Sequence, residues 1–169
     1  MVRPYDATTD ADALWACKRA FELGLGTGTG GDEKQTLYEG KLTDEYRASW
    51  LAWVDRCVAD DERCVLVEPA DQADGEADDD ALAGYVFVLP ERLAFVWDAA
   101  VLNELYVAPE YRGTGVADGL LDAAVDFARS MSLPLDRLVL DVDRTNERAR
   151  AFYDRHGFEH WGEMVARDL

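Results

Sequence analysis

The sequence predicts a mixed α+β domain, a central mixed sheet with helices on both faces. Three observations carry this. Apolar runs of strand length recur at Cys64–Val67, Leu82–Leu89, Ala99–Val107 and Leu138–Val142. Stretches with helical apolar spacing lie around and between them. Their order is a meander of strands, then strand-helix-strand-helix-strand, which layers helices on one sheet. A chain of 169 residues has room for one sizeable core, so residues 1–169 are read as a single domain.

Each element has a local reason. Val2 to Tyr5 is short and extended in character. A helix is expected from about Asp10 to Leu23, with Thr8 or Thr9 as its cap and Ala13, Leu14, Cys17 and Phe21 on its apolar face. The run Gly24–Gly31 holds too many glycines for regular structure and reads as a mobile loop that closes over a substrate. Thr43-Asp44-Glu45 opens a second helix to about Ala59, with Tyr46, Trp50, Trp53, Val54 and Cys57 as its buried stripe. The acidic run Asp71–Asp80 reads as a solvated hairpin loop, without the ligand order of a calcium loop. A helix over about Gly115–Ser130 repeats Val116, Leu120, Leu121, Ala124, Phe127 and Ala128 at helical period. Asn146 caps a last helix, Glu147–Arg155. Phe158 and then Glu163–Ala166 are expected as closing short strands.

Charge excludes several classes. The chain carries 17 Lys+Arg against 35 Asp+Glu, a formal net charge of −18. Phosphate neutralisation needs clustered cations, so nucleic-acid binding is not expected, and an anionic membrane would repel the chain. No apolar run approaches the ~18 residues of a membrane span, and the N-terminus lacks a signal-peptide core. A cytoplasmic protein is expected. Lys stands only at positions 18, 34 and 41, and this Asp-rich, Lys-poor composition reads as that of a salt-loving organism. At molar salt the screening length falls to ~3 Å, which relieves the self-repulsion. Cys17, Cys57 and Cys64 fit neither a disulfide framework nor a zinc site and read as buried thiols; no metal is expected.

The stretch that carries chemistry is Leu102-Asn103-Glu104-Leu105-Tyr106-Val107-Ala108-Pro109-Glu110-Tyr111-Arg112-Gly113-Thr114-Gly115-Val116-Ala117. A strand ends at Val107 and a glycine-rich loop leads into a helix. Gly113 and Gly115 let a ligand approach the backbone, and the N–H groups of Thr114 to Ala117 point outward at the helix start. That is an anion site suited to a pyrophosphate, with Arg112 as a cation beside it. A dinucleotide fingerprint fails here, because Asp118 stands where its third glycine belongs. Downstream, Asn146 to Phe158 reads N-x-x-A-x-x-F-Y-x-x-x-G-F, which alone is a capped amphipathic helix stopped by Gly157.

The two motifs in this order resemble the GNAT superfamily of N-acetyltransferases. The family's Arg/Gln-x-x-Gly-x-Gly/Ala loop is matched by Arg112, Gly115 and Ala117, and its later motif by Asn146, Tyr153, Gly157 and Phe158. The resemblance covers about Val101 to Phe158. It implies a GNAT-like acyl-CoA N-acyltransferase fold, splayed at the cofactor cleft. It also implies acetyl-CoA as co-substrate, with its pyrophosphate on Arg112, Gly113, Thr114, Gly115, Val116 and Ala117. The pantetheine arm would pair with Leu105, Tyr106 and Val107, and Asn146 would bond that arm, cap its helix, or do both. A free N–H near Leu105–Val107 would face an oxyanion. Tyr153 would protonate the departing thiolate.

The implied reaction is acetyl transfer to a primary amine by direct attack in a ternary complex. The acceptor must lose a proton, directly or through water, and Glu104 is the first candidate base. Strand alternation puts Leu102, Glu104 and Tyr106 on one face and Asn103, Leu105 and Val107 on the other. Some family members place the base at the position of Asn103, which cannot titrate, so Asp98 and Asp143 are the fallbacks. His156 and His160 read as structural or exposed. The acceptor site is expected among the Gly24–Gly31 loop, the Tyr46–Trp53 helix and the strand near Asp98, where Trp50, Trp53 or Trp97 packs in the core or on a cation. The acceptor would be a small molecule or a protein amine. A homodimer through the C-terminal strands is the family's common assembly. The alternative function is a non-catalytic acyl-CoA-binding sensor of the same fold.

Overall fold

The structure is a computed structural model, described for residues 1–28, 31–70 and 81–167, with the side chains of 26–35 left aside. Five strands pair in the order β1 (Arg3–Pro4), β2 (Val65–Pro69), β3 (Leu82–Val88), β4 (Ala100–Val107) and β5 (Leu138–Val139). The first three pairings are antiparallel and the last is parallel, so the sheet is mixed. Helices α1 (Ala11–Gly28), α2 (Gly31–Lys41) and α3 (Asp44–Asp60) precede β2; α4 (Val116–Arg129) and α5 (Glu147–Arg155) lie on either side of β5 in sequence. No helix among the described residues is long and apolar enough to cross a membrane.

The apolar patterns position the layers. β3 is buried at every residue, as a central strand must be, and Tyr85, Val86, Phe87 and Val88 are fully enclosed. On one face, Trp53 of α3 packs on Phe87 with ring centroids 4.9 Å apart. On the other, Leu120 of α4 covers Gly84. A Cβ at Gly84 would collide with the Tyr106 carbonyl, so the close approach of β3 and β4 requires glycine there. Thr43 caps α3 by accepting from Tyr46 N at 3.1 Å, and Asn146 caps α5 by accepting from Ala149 N at 3.0 Å. Cys17, Cys57 and Cys64 are buried free thiols.

Several expectations are corrected. The Gly24–Gly31 run is helical through Gly28 in α1 and opens α2 at Gly31; residues 29 and 30 lie outside the described residues, as does the Asp71–Asp80 run. Each helical glycine costs about 1 kcal/mol against alanine, and here α1 and α2 lie against each other. Neither Thr8 nor Thr9 caps α1, because the helix opens at Ala11 and Asp10 is the residue whose carbonyl accepts from Leu14 N; the two hydroxyls donate to carboxylates, Thr8 to Asp6 and Thr9 to Asp10. Phe158 and Glu163–Ala166 form no strand: the segment docks on no strand edge, and Trp161 and Met164 stay exposed, so no burial holds it extended. β5 is cut to two residues, because it parts from β4 after Val101↔Val139.

One irregularity changes a side-chain direction. Phe87 pairs with Glu104, but Val88 pairs with Leu102, so Asn103 is an extra residue in β4. Such a β-bulge shifts the alternation by one. Leu102 therefore shares the face of Val88, opposite to Glu104 and Tyr106, and the predicted grouping of Leu102 with Glu104 does not hold.

Candidate active site

Two features of β4 build a cleft. Its pairing with β5 ends at Ala100↔Leu138 and Val101↔Val139. Beyond Val101 the outer edge of β4, through Leu105, Tyr106 and Val107, carries no partner strand among the described residues. Backbone N–H and C=O groups on such an edge remain available to an extended ligand.

At the foot of β4 the chain turns through Pro109–Tyr111 into the glycine loop. Gly113 and Gly115 have φ of +80° and +94°, a region L-residues rarely adopt, and nothing lies within 4 Å of where their Cβ atoms would stand. Gly115 is the residue before α4, so the first-turn N–H groups of Val116 and Ala117 have no side-chain cap. Arg112 donates Nε to the Val107 carbonyl at 3.1 Å, and Thr114 Oγ1 donates to the Tyr111 carbonyl at 2.6 Å. These bonds fix the loop and leave open space above it. The donor set fits a pyrophosphate: backbone N–H groups, a helix start and a guanidinium.

α5 is tied to this corner. Asp118, in the first turn of α4, accepts from Arg155 at 2.7 Å and pairs with His156 Nε2 at 2.9 Å. The bond from Arg155, with that of His156 added, holds the Asp118 carboxyl below its ordinary range. Asn146 spends its Oδ1 on the cap of α5. The Tyr153 hydroxyl has no hydrogen-bond partner among the described residues, and burial pushes it up to about 12. It is therefore a neutral phenol at physiological pH.

Glu104 is the centre of a different site. It is 6% exposed. Its Oε1 lies 2.5 Å from Lys18 Nζ and 3.3 Å from Asn103 Nδ2, and its Oε2 accepts from the Tyr85 hydroxyl at 2.6 Å. Lys18 also reaches Oε1 of Glu22 at 2.5 Å, and Lys41 lies 2.7 Å from Oε2 of Glu22. Burial lowers the Lys18 ammonium, but Glu104 and Glu22 outweigh it and hold Lys18 above its ordinary value. Burial raises Glu22, and the two lysines outweigh it and hold Glu22 low. Tyr85 is pushed well above 10.0 by burial and then by the Glu104 charge.

The fallback bases stand apart from Glu104. Asp98 is exposed in the turn before β4, at φ +55°, and its carbonyl accepts from Leu135 N. Five residues, four of them in β4, separate it from Glu104 along the chain. The Asp143 carboxyl accepts from the N–H and hydroxyl of Thr145. Among the tryptophans, Trp50 is both buried and under a cation, 5.3 Å from Lys18 Nζ; Trp97 is exposed. Sequence reasoning missed Lys18 and Glu22. The signal was there: Leu14, Lys18 and Glu22 are spaced i, i+4, i+8, which sets an ion pair in line with an apolar stripe.

Comparison with known proteins decides the family. A family model described as the acetyltransferase (GNAT) family matches residues 32–158. The chain belongs to that family. A GNAT fold is also what the solved structures share: the PaiA N-acetyltransferase of Thermoplasma acidophilum in complex with coenzyme A superposes at TM-score 0.67 with 19% identity, covering 94% of this chain and 89% of that one. Among curated relatives, an uncharacterized N-acetyltransferase of Methanocaldococcus jannaschii is 32% identical over 76 residues, 41% of this chain and 33% of its own length. The spermidine N(1)-acetyltransferase of Escherichia coli K12 is 36% identical over 62 residues, 37% of this chain and 33% of its own. The chain thus spans about a third of the length of these curated relatives.

Proposed function

We propose that this GNAT protein is an acetyl-CoA-dependent N-acetyltransferase acting on a primary amine by direct attack in a ternary complex. The observation that carries the reading is the uncapped start of α4 behind two positive-φ glycines, at the foot of a strand whose outer edge is open past Val101. Acetyl-CoA supplies the activated acyl group as a thioester. Arg112 and the N–H groups of residues 113–117 hold its pyrophosphate, and the edge at Leu105–Val107 aligns its arm. The spare Nδ2 of Asn146 serves the same arm while Oδ1 caps α5.

The amine attacks the acyl carbon, the C–N bond forms, and the C–S bond breaks. Tyr153, protonated throughout the physiological range, gives its proton to the thiolate. A thiol is a moderately weak acid, so acid help here belongs at the low end of the ~10²–10⁴-fold range. Glu104 acts on the acceptor's proton through water, because both of its oxygens already accept from Lys18, Asn103 and Tyr85.

Two variants test this. Gly115→Val forces a β-branched residue to φ +94°, and calorimetric titration should show acetyl-CoA affinity falling by about 10- to 100-fold, the equivalent of ~1–3 kcal/mol of strain. Tyr153→Phe should lower kcat by roughly 10²-fold with CoA affinity retained. The engaged state of Glu104 favours a second reading, an acyl-CoA sensor without turnover. A sensor binds acetyl-CoA but releases no free thiol with any amine, and Tyr153→Phe then changes nothing.

A further inference from the structure

Lys18 sits in a box built for an alkylammonium. Its Nζ lies 2.5 Å from Glu22 Oε1 and 2.5 Å from Glu104 Oε1. The ring centroids of Phe21 and Trp50 stand 5.4 and 5.3 Å away. Two carboxylates take charge-assisted bonds, and two aromatic faces cover other sides. Glu104 is a residue of β4, so the box adjoins the strand along which acyl transfer is placed.

We propose that this box is a cation subsite on the acceptor side which the protein fills with its own Lys18, so that Lys18 sets the acceptor class. Primary amines with a single ammonium are taken; di- and polyamines, whose second ammonium needs the box, are not. This inference rests on the acetyltransferase reading.

Charge balance supports it. Lys18 and Lys41 face Glu22 and Glu104, so the four side chains sum to zero. A second ammonium could enter only by expelling Lys18 or by leaving a surplus cation in a buried space, and both carry a desolvation penalty. Residue choice supports it too. Lys occurs at three positions in the chain, all other side-chain cations being Arg or His, yet two of the three converge on Glu22. A compact ammonium with three donors bridges two separate carboxylates between rings, whereas a planar guanidinium fork prefers both oxygens of one.

The test compares wild type with Lys18→Ala in molar KCl, which screens unspecific cation binding to the acidic surface. The probe n-propylammonium replaces the atoms that Lys18→Ala deletes. At saturating probe, the melting temperature of Lys18→Ala should rise by about 3–5 °C while wild type is unmoved. An equal response, or none in the variant, overturns the box. In the acetylation assay, the kcat/KM of wild type for 1,4-diaminobutane should not exceed that for n-butylamine, and Lys18→Ala should shift this ratio toward the diamine by at least ~10-fold. A wild type that prefers the diamine by ~10-fold overturns the proposal, and so does a ratio the variant leaves unmoved. The wild-type ratio needs no variant, so it decides even if Lys18→Ala fails to fold. If neither amine, nor a lysine-bearing peptide added as a protein-amine probe, releases free thiol from acetyl-CoA, the acetyltransferase reading itself has failed and the acceptor role of the box with it, whereas normal turnover of n-butylamine isolates the failure to Lys18.

Discussion

The foot and the middle of β4 handle polar groups in opposite ways. At its foot, the loop from Arg112 to Ala117 leaves backbone N–H groups uncapped, with open space over two glycines. Two residues before Tyr106, Glu104 is enclosed, and every charge near it is matched by the protein itself. An open backbone site needs a ligand to complete it. A closed side-chain cluster has no such need, and it determines what cannot enter. On the proposed reading, cofactor recognition and acceptor selection use separate physics on one strand: unmet hydrogen bonds for the first, prior occupancy for the second.

The largest effect should come from breaking the closed cluster. Lys18→Met keeps the length and apolar stem but leaves Glu22 and Glu104 with Lys41 as the one remaining ammonium among the four. Loss of one partner from a buried pair costs about 3–5 kcal/mol. Denaturant unfolding should show that loss, and the further change Glu104→Gln should return part of it, because Glu22 keeps Lys41 and Glu104 is the carboxylate left without a cation. If Lys18→Met melts like wild type, the cluster is not closed and the contrast between the foot and the middle of β4 fails.

Tyrosine titration sharpens the contrast at a smaller scale. Tyr153 and Tyr5 are both pushed up to about 12 from 10.0, Tyr153 by burial and Tyr5 by burial and then Asp55. Between these values the unfolded chain has released protons that the folded chain keeps. Stability is therefore fully present below pH 10 and is lost as pH rises through about 12. Tyr153→Phe should make that alkaline limb shallower and leave neutral-pH stability nearly unchanged. Tyr85→Phe removes a donor from Glu104 as well as a titrating phenol. It should cost about 1–3 kcal/mol already at pH 7, the price of an unmatched buried acceptor. Equal behaviour of the two variants at pH 7 would erase the distinction.

What the sequence made legible follows the same division. The cofactor end is local: Asn146 three residues before Ala149, Gly115 just before the apolar period of α4, and a strand running into both can be seen without tertiary contacts. The acceptor side is not local. Lys18 and Glu22 leave a periodic trace one turn apart on α1, but their partners Glu104, on β4, and Lys41, on α2, stand on separate elements and leave none. The bulge at Asn103 is invisible for a related reason. Alternation in β4 is unbroken as a pattern, and only pairing with Val88 reveals that Leu102 changed faces. Glu163–Ala166 has strand character but docks on no edge, although that of β4 past Val101 is open, which pattern alone cannot tell.

The smallest effect should come at the seam between the two motifs. Asp118 ties α4 to α5 through Arg155 and His156, and all three are partly exposed. Exposed pairs contribute ~0.2–1 kcal/mol, so Asp118→Asn should barely move the denaturation midpoint. Its effect on function should be larger than its effect on stability. The carboxylate lies in the first turn of α4, beside the N–H groups assigned to the pyrophosphate, and its charge opposes an anion there. Removing it frees Arg155 to face the same anion. Acetyl-CoA affinity should therefore rise by about two- to fivefold at low salt, and the gain should shrink as salt is added. A weaker affinity instead would mean that Asp118 matters chiefly as the strut that sets α5, and that the open end of β4 depends on a closed network after all.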